Sequence, residues 1–229
     1  MSFGIQTTQR RSLVEQVEGE LRDALIEGRL EPGTRLVTRD LAETLGTSIT
    51  PVREALVRLV ASGALRAEPA QSFRVPRLTE GELIELAQIR KAVEGLAARE
   101  AAQKITAPEI AQMRVLLAEY IAARGKDDPH HALRCNRQFR FALYECAKMP
   151  HLQQVIETLW LKSGPGFNYL FPQHHNDFTG HRNYEDLIKA LEAADGEAAN
   201  LAICHAIEDG SDVVLRAMRA MEAATASAS

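Results

Sequence analysis

Four polar residues lie close together in the sequence and have the chemistry to hold an anion. Ser48, Thr50 and Arg53 stand at the start of a segment with helical period, and Arg39 lies on a shorter segment before them. The first N–H groups of a helix are free to bond phosphate oxygens, and arginine can grip a phosphate or a guanine through two hydrogen bonds. The pattern predicts a helix whose amino end enters the major groove of DNA, although small helical hairpins often carry such residues without binding DNA.

The surrounding sequence supplies elements that would position this helix. A stripe of apolar residues predicts a first helix from Ser12 to Gly28. Thr38 is predicted to cap a short helix that Gly46 ends, and Pro51 suits the first turn of the next helix, which runs to about Ser62. Two short strands are predicted to follow, at 64–68 and 72–75. Residues 1–76 therefore read as a winged helix-turn-helix domain.

The sequence changes character after Pro76, where nearly every segment has helical period. Thr79 and Glu82 form a predicted capping box that opens a long helix to about Lys104. We expect further helices at about 107–124, 130–148, 150–163, 181–194 and 197–222. The stretch 164–180 is rich in glycine, proline and aromatic residues and is a candidate lid or pocket wall. The fold class is therefore mainly α, with an all-helical domain over residues 77–229.

Composition limits the possible partners and compartments. The chain has 229 residues, 45% hydrophobic and 25% charged, and a net charge of −4. Residues 1–76 carry ten basic and ten acidic side chains, so the whole −4 lies in the rest of the chain, which should not bind DNA. Three cysteines without a CxxC pair, no signal-peptide pattern and no apolar run of roughly 18 residues predict a cytoplasmic protein without a membrane partner.

Two stretches of the chain resemble a known family. The segment LAETLGTSITPVREALVRLVASGAL, from Leu41 to Leu65, resembles the signature of the GntR family of bacterial regulators. Segments around Arg90, Asn136 and Trp160 resemble the FadR-type subfamily with its FCD domain, a bundle of six or seven helices. The resemblance implies a homodimeric transcription regulator, with repression as the usual mode, that binds a pseudo-palindromic operator on double-stranded DNA and a small-molecule effector.

The resemblance also assigns DNA contacts. It implies that Arg39 holds the backbone or a base, that Ser48 and Thr50 bond phosphates and that Arg53 reads the groove; the remaining contact positions on the recognition helix and at the wing tip are Ile49, Pro51, Pro69 and Ala70. Ile49 departs from the family, which usually has an arginine there. An apolar side chain cannot donate to guanine but can touch a thymine methyl group, and the wing also lacks the usual glycine near its tip. We therefore expect an operator that differs from the common one.

Many relatives hold a divalent metal in the bundle through an Asp, a His four residues later and two further His. Here the first pair is Asn136 and Arg140, which suit no transition metal, and Tyr184 takes the third position. We therefore expect no cofactor. A displaced site at His181 and His205, holding Zn or Ni, stays as an alternative and would make the chain a metal-sensing regulator.

The hypothesis for the effector follows from Arg140. Its guanidinium can clamp a carboxylate in place of the metal, with Asn136, Tyr184 and His181 or His205 nearby. The alternative is that Arg140 only pairs with an acidic neighbour. Arg90 and Glu94 are spaced i, i+4, so Arg90 either forms an ordinary surface ion pair or points into the bundle as an effector-binding residue.

An enzyme is the competing class. The sequence has no nucleophile elbow, HExxH motif, P-loop or dinucleotide fingerprint. We therefore expect no catalytic residues, and a helical-bundle enzyme is the least favoured alternative.

Overall fold

The computed structural model describes residues 12–69, 72–126, 128–170 and 180–227, with the side chains at 180, 181 and 225–227 excepted. The chain forms an N-terminal unit and a helical bundle, which confirms the predicted mainly helical fold. The elements of the N-terminal unit are α1 (Leu13–Ile26), β1 (Arg35–Val37), α2 (Thr38–Thr44), α3 (Ile49–Ala61), β2 (Arg66–Glu68) and β3 (Ser72–Arg74). Those of the bundle are α4 (Glu80–Lys104), α5 (Ala107–Arg124), α6 (Pro129–Cys146), α7 (Pro150–Ser163), a 3-10 segment (Gly164–Leu170), α8 (Gly180–Glu192) and α9 (Gly196–Ser227).

The N-terminal unit is held together by one face of each of its longer helices. Val17, Leu21 and Leu25 of α1 are buried together with Val52 and Leu56 of α3, as their i, i+4 spacing predicts. Gly46 adopts a φ of +62° in the turn between α2 and α3, a conformation that side chains with a Cβ resist. A glycine at this position therefore allows the tight turn that joins α2 to α3.

The described residues of the wing form a three-stranded sheet, whereas the sequence predicted two strands. The order is β1-β3-β2, with Leu36 and Ala67 both paired with Phe73. Strand β1 has only three residues, too few to give an alternating pattern. The prediction that Thr38 caps α2 is also wrong, because Thr38 is the first residue of the helix and Val37 precedes it as the cap residue without a side-chain bond.

Helix α4 lies at the centre of the bundle and packs against α6, α7, α8 and α9. Its predicted capping box is present, since Thr79 Oγ1 accepts from Glu82 N (3.2 Å) and Glu82 Oε2 accepts from Thr79 N (2.8 Å). A Cβ on Gly95 would stand 2.1 Å from Asn200 Oδ1, so the glycine allows α9 to lie close against α4. None of the helices in the described ranges is long and apolar enough to cross a membrane.

The N-terminal unit rests directly on the bundle through the end of α1. A Cβ on Gly164 would lie 2.8 Å from the Leu25 carbonyl oxygen, so the 3-10 segment touches the α1 backbone. Arg137 pairs with Asp23 at 2.9 Å across the same junction. The stretch 164–180 is not a lid in its first part, because residues 164–167 are buried between α1, α7 and α9. Asn168 and Tyr169 line a cavity, in agreement with the alternative of a pocket wall; residues 171–179 lie outside the described residues.

Candidate nucleic-acid interface and effector site

Helix α3 presents its amino end to solvent. Ser48, Ile49, Thr50 and Arg53 are all exposed there, and Ile49 has 49% of its surface accessible. Pro51 is buried in the first turn of α3 and therefore does not line the exposed surface. The opposite face of α3 is fixed in the hydrophobic core, and these four side chains therefore point outward as a group.

The polar groups of this surface have no partner within the described parts of the chain. Ser48 is the N-cap residue of α3, yet its side chain makes no capping bond. Neither Arg39 nor Arg53 is engaged in an ion pair or side-chain hydrogen bond there, whereas Arg58, at the other end of α3, pairs with Glu18 at 3.3 Å. The unpaired donors of Ser48 and Arg53 thus lie at the end of α3 where free N–H groups also favour phosphate, and Arg39 offers a further exposed cation on α2.

The wing is well anchored up to its tip. Arg74 donates to both carboxylate oxygens of Glu68, at 2.5 and 3.0 Å, and Ser72 Oγ donates to the Pro69 carbonyl at 3.0 Å. Pro69 is exposed at the end of β2. Ala70, the other predicted contact at the wing tip, lies outside the described residues.

A buried group of polar side chains occupies the interior of the bundle, and we call it the charge cluster: Arg90, Glu94, Asn136, Arg140, Tyr144 and Tyr184. Arg140 Nη2 donates to Glu94 Oε2 at 2.5 Å, and Arg140 Nε donates to Tyr144 Oη at 2.7 Å. Arg90 Nε donates to Glu94 Oε1 at 2.6 Å. Glu94 is therefore shared by two guanidinium groups from different helices.

Tyr184 joins the cluster to Asn136. Its hydroxyl accepts from Arg140 Nη1 at 3.4 Å and donates to Asn136 Oδ1 at 2.7 Å. Of the six predicted effector residues, the structure thus brings Arg90, Asn136, Arg140 and Tyr184 together. Tyr184 also packs on Phe139, with ring centroids 4.6 Å apart, which holds its hydroxyl in place.

The cluster holds more positive than negative charge in a buried place. Arg90, Glu94 and Arg140 are 7%, 0% and 2% exposed. Burial alone would raise the pKa of Glu94, but Arg90 and Arg140 outweigh it and lower that pKa to about 2. Glu94 is therefore ionised at neutral pH, and two guanidinium charges face a single carboxylate.

Both arginines form the ion pairs that the sequence analysis gave as alternatives to effector binding. Arg140 does pair with an acidic neighbour, and Arg90 forms the i, i+4 ion pair with Glu94 but inside the bundle and not at the surface. Sequence reasoning gave Tyr144 and Trp160 no part in the site. Tyr144 lies four residues after Arg140, a spacing that would have indicated the contact, whereas no local pattern places Trp160 beside Arg90.

Aromatic rings cover the outer side of Arg90. Its guanidinium carbon lies 5.1 Å from the ring centroid of Trp160 and 5.2 Å from that of Phe167. Phe167 belongs to the 3-10 segment that rests on α1. The charge cluster is thus in contact with the element that supports the N-terminal unit.

Of the two predicted histidines, His205 does not join this group of contacts. His205 is exposed, because Ala202, Ile203 and Ala206 occupy the inward face of α9 and the helical period turns His205 outward. The expectation that His205 lines the effector site is therefore corrected, and the side chain of His181 lies outside the described residues. In the described part of the chain, no three His, Cys, Asp or Glu side chains are grouped to hold a metal ion.

A winged helix-turn-helix with an exposed recognition helix, seated on a helical bundle with a buried polar site, defines a class of DNA-binding transcription regulators. Family models agree with both units: "Bacterial regulatory proteins, gntR family" matches residues 13–75, and "FCD domain" matches residues 85–209. The chain belongs to the GntR family and carries an FCD domain. It is a DNA-binding transcription regulator and not an enzyme.

Relatives support the same assignment. The chain is 43% identical over 188 residues to the HTH-type transcriptional regulator McbR of Escherichia coli (strain K12), covering 81% of this chain and 85% of that protein. The solved structure of E. coli McbR/YncC superimposes with a TM-score of 0.86 at 38% identity, covering 90% of this chain and 99% of the other. A GntR regulator structure from Rhodococcus sp. RHA1 shares the fold, with a TM-score of 0.74, 23% identity and coverage of 90% and 98%.

Proposed function

We propose that the chain is a homodimeric repressor whose affinity for a pseudo-palindromic operator is set by a small carboxylate bound at the charge cluster. The observation that carries this proposal is the sharing of Glu94 by Arg90 and Arg140 in the bundle interior. An uncompensated guanidinium charge is costly in a buried place, and an anionic ligand would neutralise it.

The donors of the cluster suit a carboxylate. A guanidinium has five N–H groups, and Arg90 directs only two of its nitrogens to Glu94, at 2.6 and 3.5 Å. Its remaining donors can form the paired hydrogen bonds that a carboxylate accepts. Arg140 supplies the second positive charge, so the proposed site holds its anion without a metal.

The proposed dimer would use an exposed apolar strip on two adjacent helices. Ile89 and Leu96 of α4 are 40% and 39% exposed, and Leu201 of α9 is 49% exposed. Helices α4 and α9 pack closely side by side at Gly95, and Arg99 pairs with Glu197 at 2.5 Å on their surface. Light scattering should give twice the chain mass for the wild type and a lower mass for Leu96→Glu; a wild-type monomer would contradict the proposed dimer.

Repression is proposed from relatives. A probable D-xylose utilization operon transcriptional repressor of Paenarthrobacter nicotinovorans is 38% identical over 102 residues, 43% of this chain and 45% of that protein. The proposed effect of the carboxylate is to favour one arrangement of the two N-terminal units. A coupling of about 1–3 kcal/mol would then change operator affinity roughly 5–150-fold.

The DNA part of the proposal is tested by selecting bound duplexes from a random pool and measuring affinity by fluorescence polarisation. Arg53→Ala should bind the selected operator at least tenfold more weakly, because it removes an unpaired cation from the exposed end of α3. Arg58→Ala is the matched control on the same helix and should stay within about threefold, because its charge is already paired. Equal losses in both variants would contradict the assignment of the reading surface.

The effector part is tested with acetate, succinate and citrate as probes, measured by calorimetry and by their influence on operator affinity. Arg90→Lys keeps the charge but removes the paired geometry, and it should weaken carboxylate binding at least tenfold. Circular dichroism checks that the variant remains folded. Unchanged binding in the folded variant would refute the role of Arg90.

A further inference from the structure

Trp160 is a buried side chain whose polar atom has no partner. It is 1% exposed, and its indole Nε1 makes no hydrogen bond within the described residues. Buried donors are nearly always satisfied, so such a group calls for an explanation. Ser163, one turn further along α7 and also 1% exposed, has an unpartnered hydroxyl as well.

The side chains that the structure describes around the Trp160 ring cannot accept a hydrogen bond from its indole N–H. Phe141 and Phe167 meet the ring edge-on, each at a centroid distance of 5.3 Å. The guanidinium carbons of Arg90 and Arg140 lie 5.1 and 5.9 Å from the ring centroid, and guanidinium groups are donors only. The Trp160 ring thus lies in a region rich in donors and positive charge.

The acidic side chain of this region is already committed elsewhere. Glu94 accepts hydrogen bonds from Arg90, Arg140 and Tyr144. A carboxylate from outside the protein would bring two acceptor oxygens, one for a guanidinium and one for the indole. The missing acceptor for Trp160 and the missing negative charge of the cluster can therefore come from the same molecule.

We propose that Trp160 donates its indole N–H to a carboxylate oxygen of the effector and selects for that group. This inference rests on the proposed function and adds a specificity-determining residue to the site. A primary amide of the same shape presents an NH₂ group where the donors need an oxygen, so it is disfavoured relative to the acid. Trp160 thus distinguishes an organic acid from its amide.

The test uses the fact that the chain has one tryptophan. In a ¹⁵N–¹H spectrum its indole gives one resonance, which should move downfield when acetate, succinate or citrate binds. Trp160→Phe keeps an aromatic ring beside the guanidinium groups but removes the donor, and its calorimetric affinity for the bound acid should fall about 10–50-fold. The amide analogue, acetamide or succinamide, should bind the wild type at least tenfold more weakly than the acid.

Phe141→Leu is the matched control, since it alters the packing of the Trp160 ring and leaves the N–H and both guanidinium groups in place. Its affinity should stay within about threefold of wild type. Calorimetric binding of an acid with an unmoved indole resonance would overturn this inference and leave the proposed function intact. If the acids neither bind the wild type nor change its operator affinity, both proposals fail. Because the resonance experiment uses the wild-type chain, it tests the inference even if Trp160→Phe does not fold.

Discussion

Replacing Glu94 with glutamine would remove the negative charge that Arg90 and Arg140 share, while nearly preserving the volume of the side chain. The pKa of Glu94 falls from its ordinary 4.5 to about 2 in the folded chain. Each pKa unit corresponds to 1.36 kcal/mol, so the ionised carboxylate stabilises the fold by about 3 kcal/mol. Breaking a buried ion pair by removing one partner typically costs about 3–5 kcal/mol, which agrees with that figure.

The expected result is a loss of about 3 kcal/mol at pH 7, or a melting temperature roughly 6–12 °C lower in a chain of this size. Urea unfolding followed by tryptophan fluorescence measures it, because the one tryptophan lies in the bundle. A carboxyl whose pKa is lowered by folding stabilises above its unfolded pKa and loses that effect as the pH falls toward the folded value. The gap between wild type and Glu94→Gln should therefore be full above pH 5 and shrink to roughly 1–1.5 kcal/mol at pH 3.

Glu109→Gln is the matched control for Glu94→Gln. Hydrogen bonds from Lys148 and Thr106 also lower the pKa of Glu109 to about 2, but this ion pair lies at the surface, where water screens it. We expect a loss below about 1 kcal/mol. A gap for Glu94→Gln as small as that of the control, or one that does not change between pH 7 and pH 3, would refute the assignment of Glu94 as the shared counter-ion.

Three further changes probe other parts of the chain. Thr79→Ala removes the capping box of α4 and should cost about 1 kcal/mol in urea unfolding, whereas an unchanged midpoint would show that the cap is redundant. Gly164→Ala places a methyl group 2.8 Å from the Leu25 carbonyl oxygen, so it should cost about 1–3 kcal/mol and speed amide exchange at the end of α1; unaltered exchange would contradict the close contact. Ile49→Arg should shift selected operators toward guanine at one position of each half-site, and an unchanged consensus would exclude Ile49 from the reading surface.

The elements of the fold could be predicted from the sequence because their signals are local. The apolar stripe of α3, the capping box at Thr79 and the change of character after Pro76 each depend on residues a few positions apart. Strand β1 escaped prediction because it is stabilised by pairing with β3, 37 positions later at Leu36–Phe73, and not by its own three residues.

The charge cluster was predicted in part, and the difference is again one of distance along the chain. The spacing of Arg90 and Glu94 is visible within one helix, but the bond from Arg140 to Glu94 joins residues 46 positions apart. Only the packing of α4 against α6 brings them together. His205 was misplaced because a neighbouring position in sequence, Ala206, faces the core, and one residue turns a helix by about 100°.

The contact between α1 and the 3-10 segment sets the orientation of the N-terminal unit, and therefore of its recognition helix, relative to the bundle. The N-terminal unit is held on the bundle by backbone contact at Gly164 and by the Arg137–Asp23 ion pair. Residues 76–78, between the buried Val75 and Thr79, therefore connect the two units without setting the angle between them. In a dimer formed through the bundle, the distance between the two recognition helices would depend on the contact between α1 and the 3-10 segment. Lengthening the segment 76–78 would leave the preferred half-site spacing unchanged, whereas weakening the α1 contact would broaden the range of half-site spacings that the dimer binds.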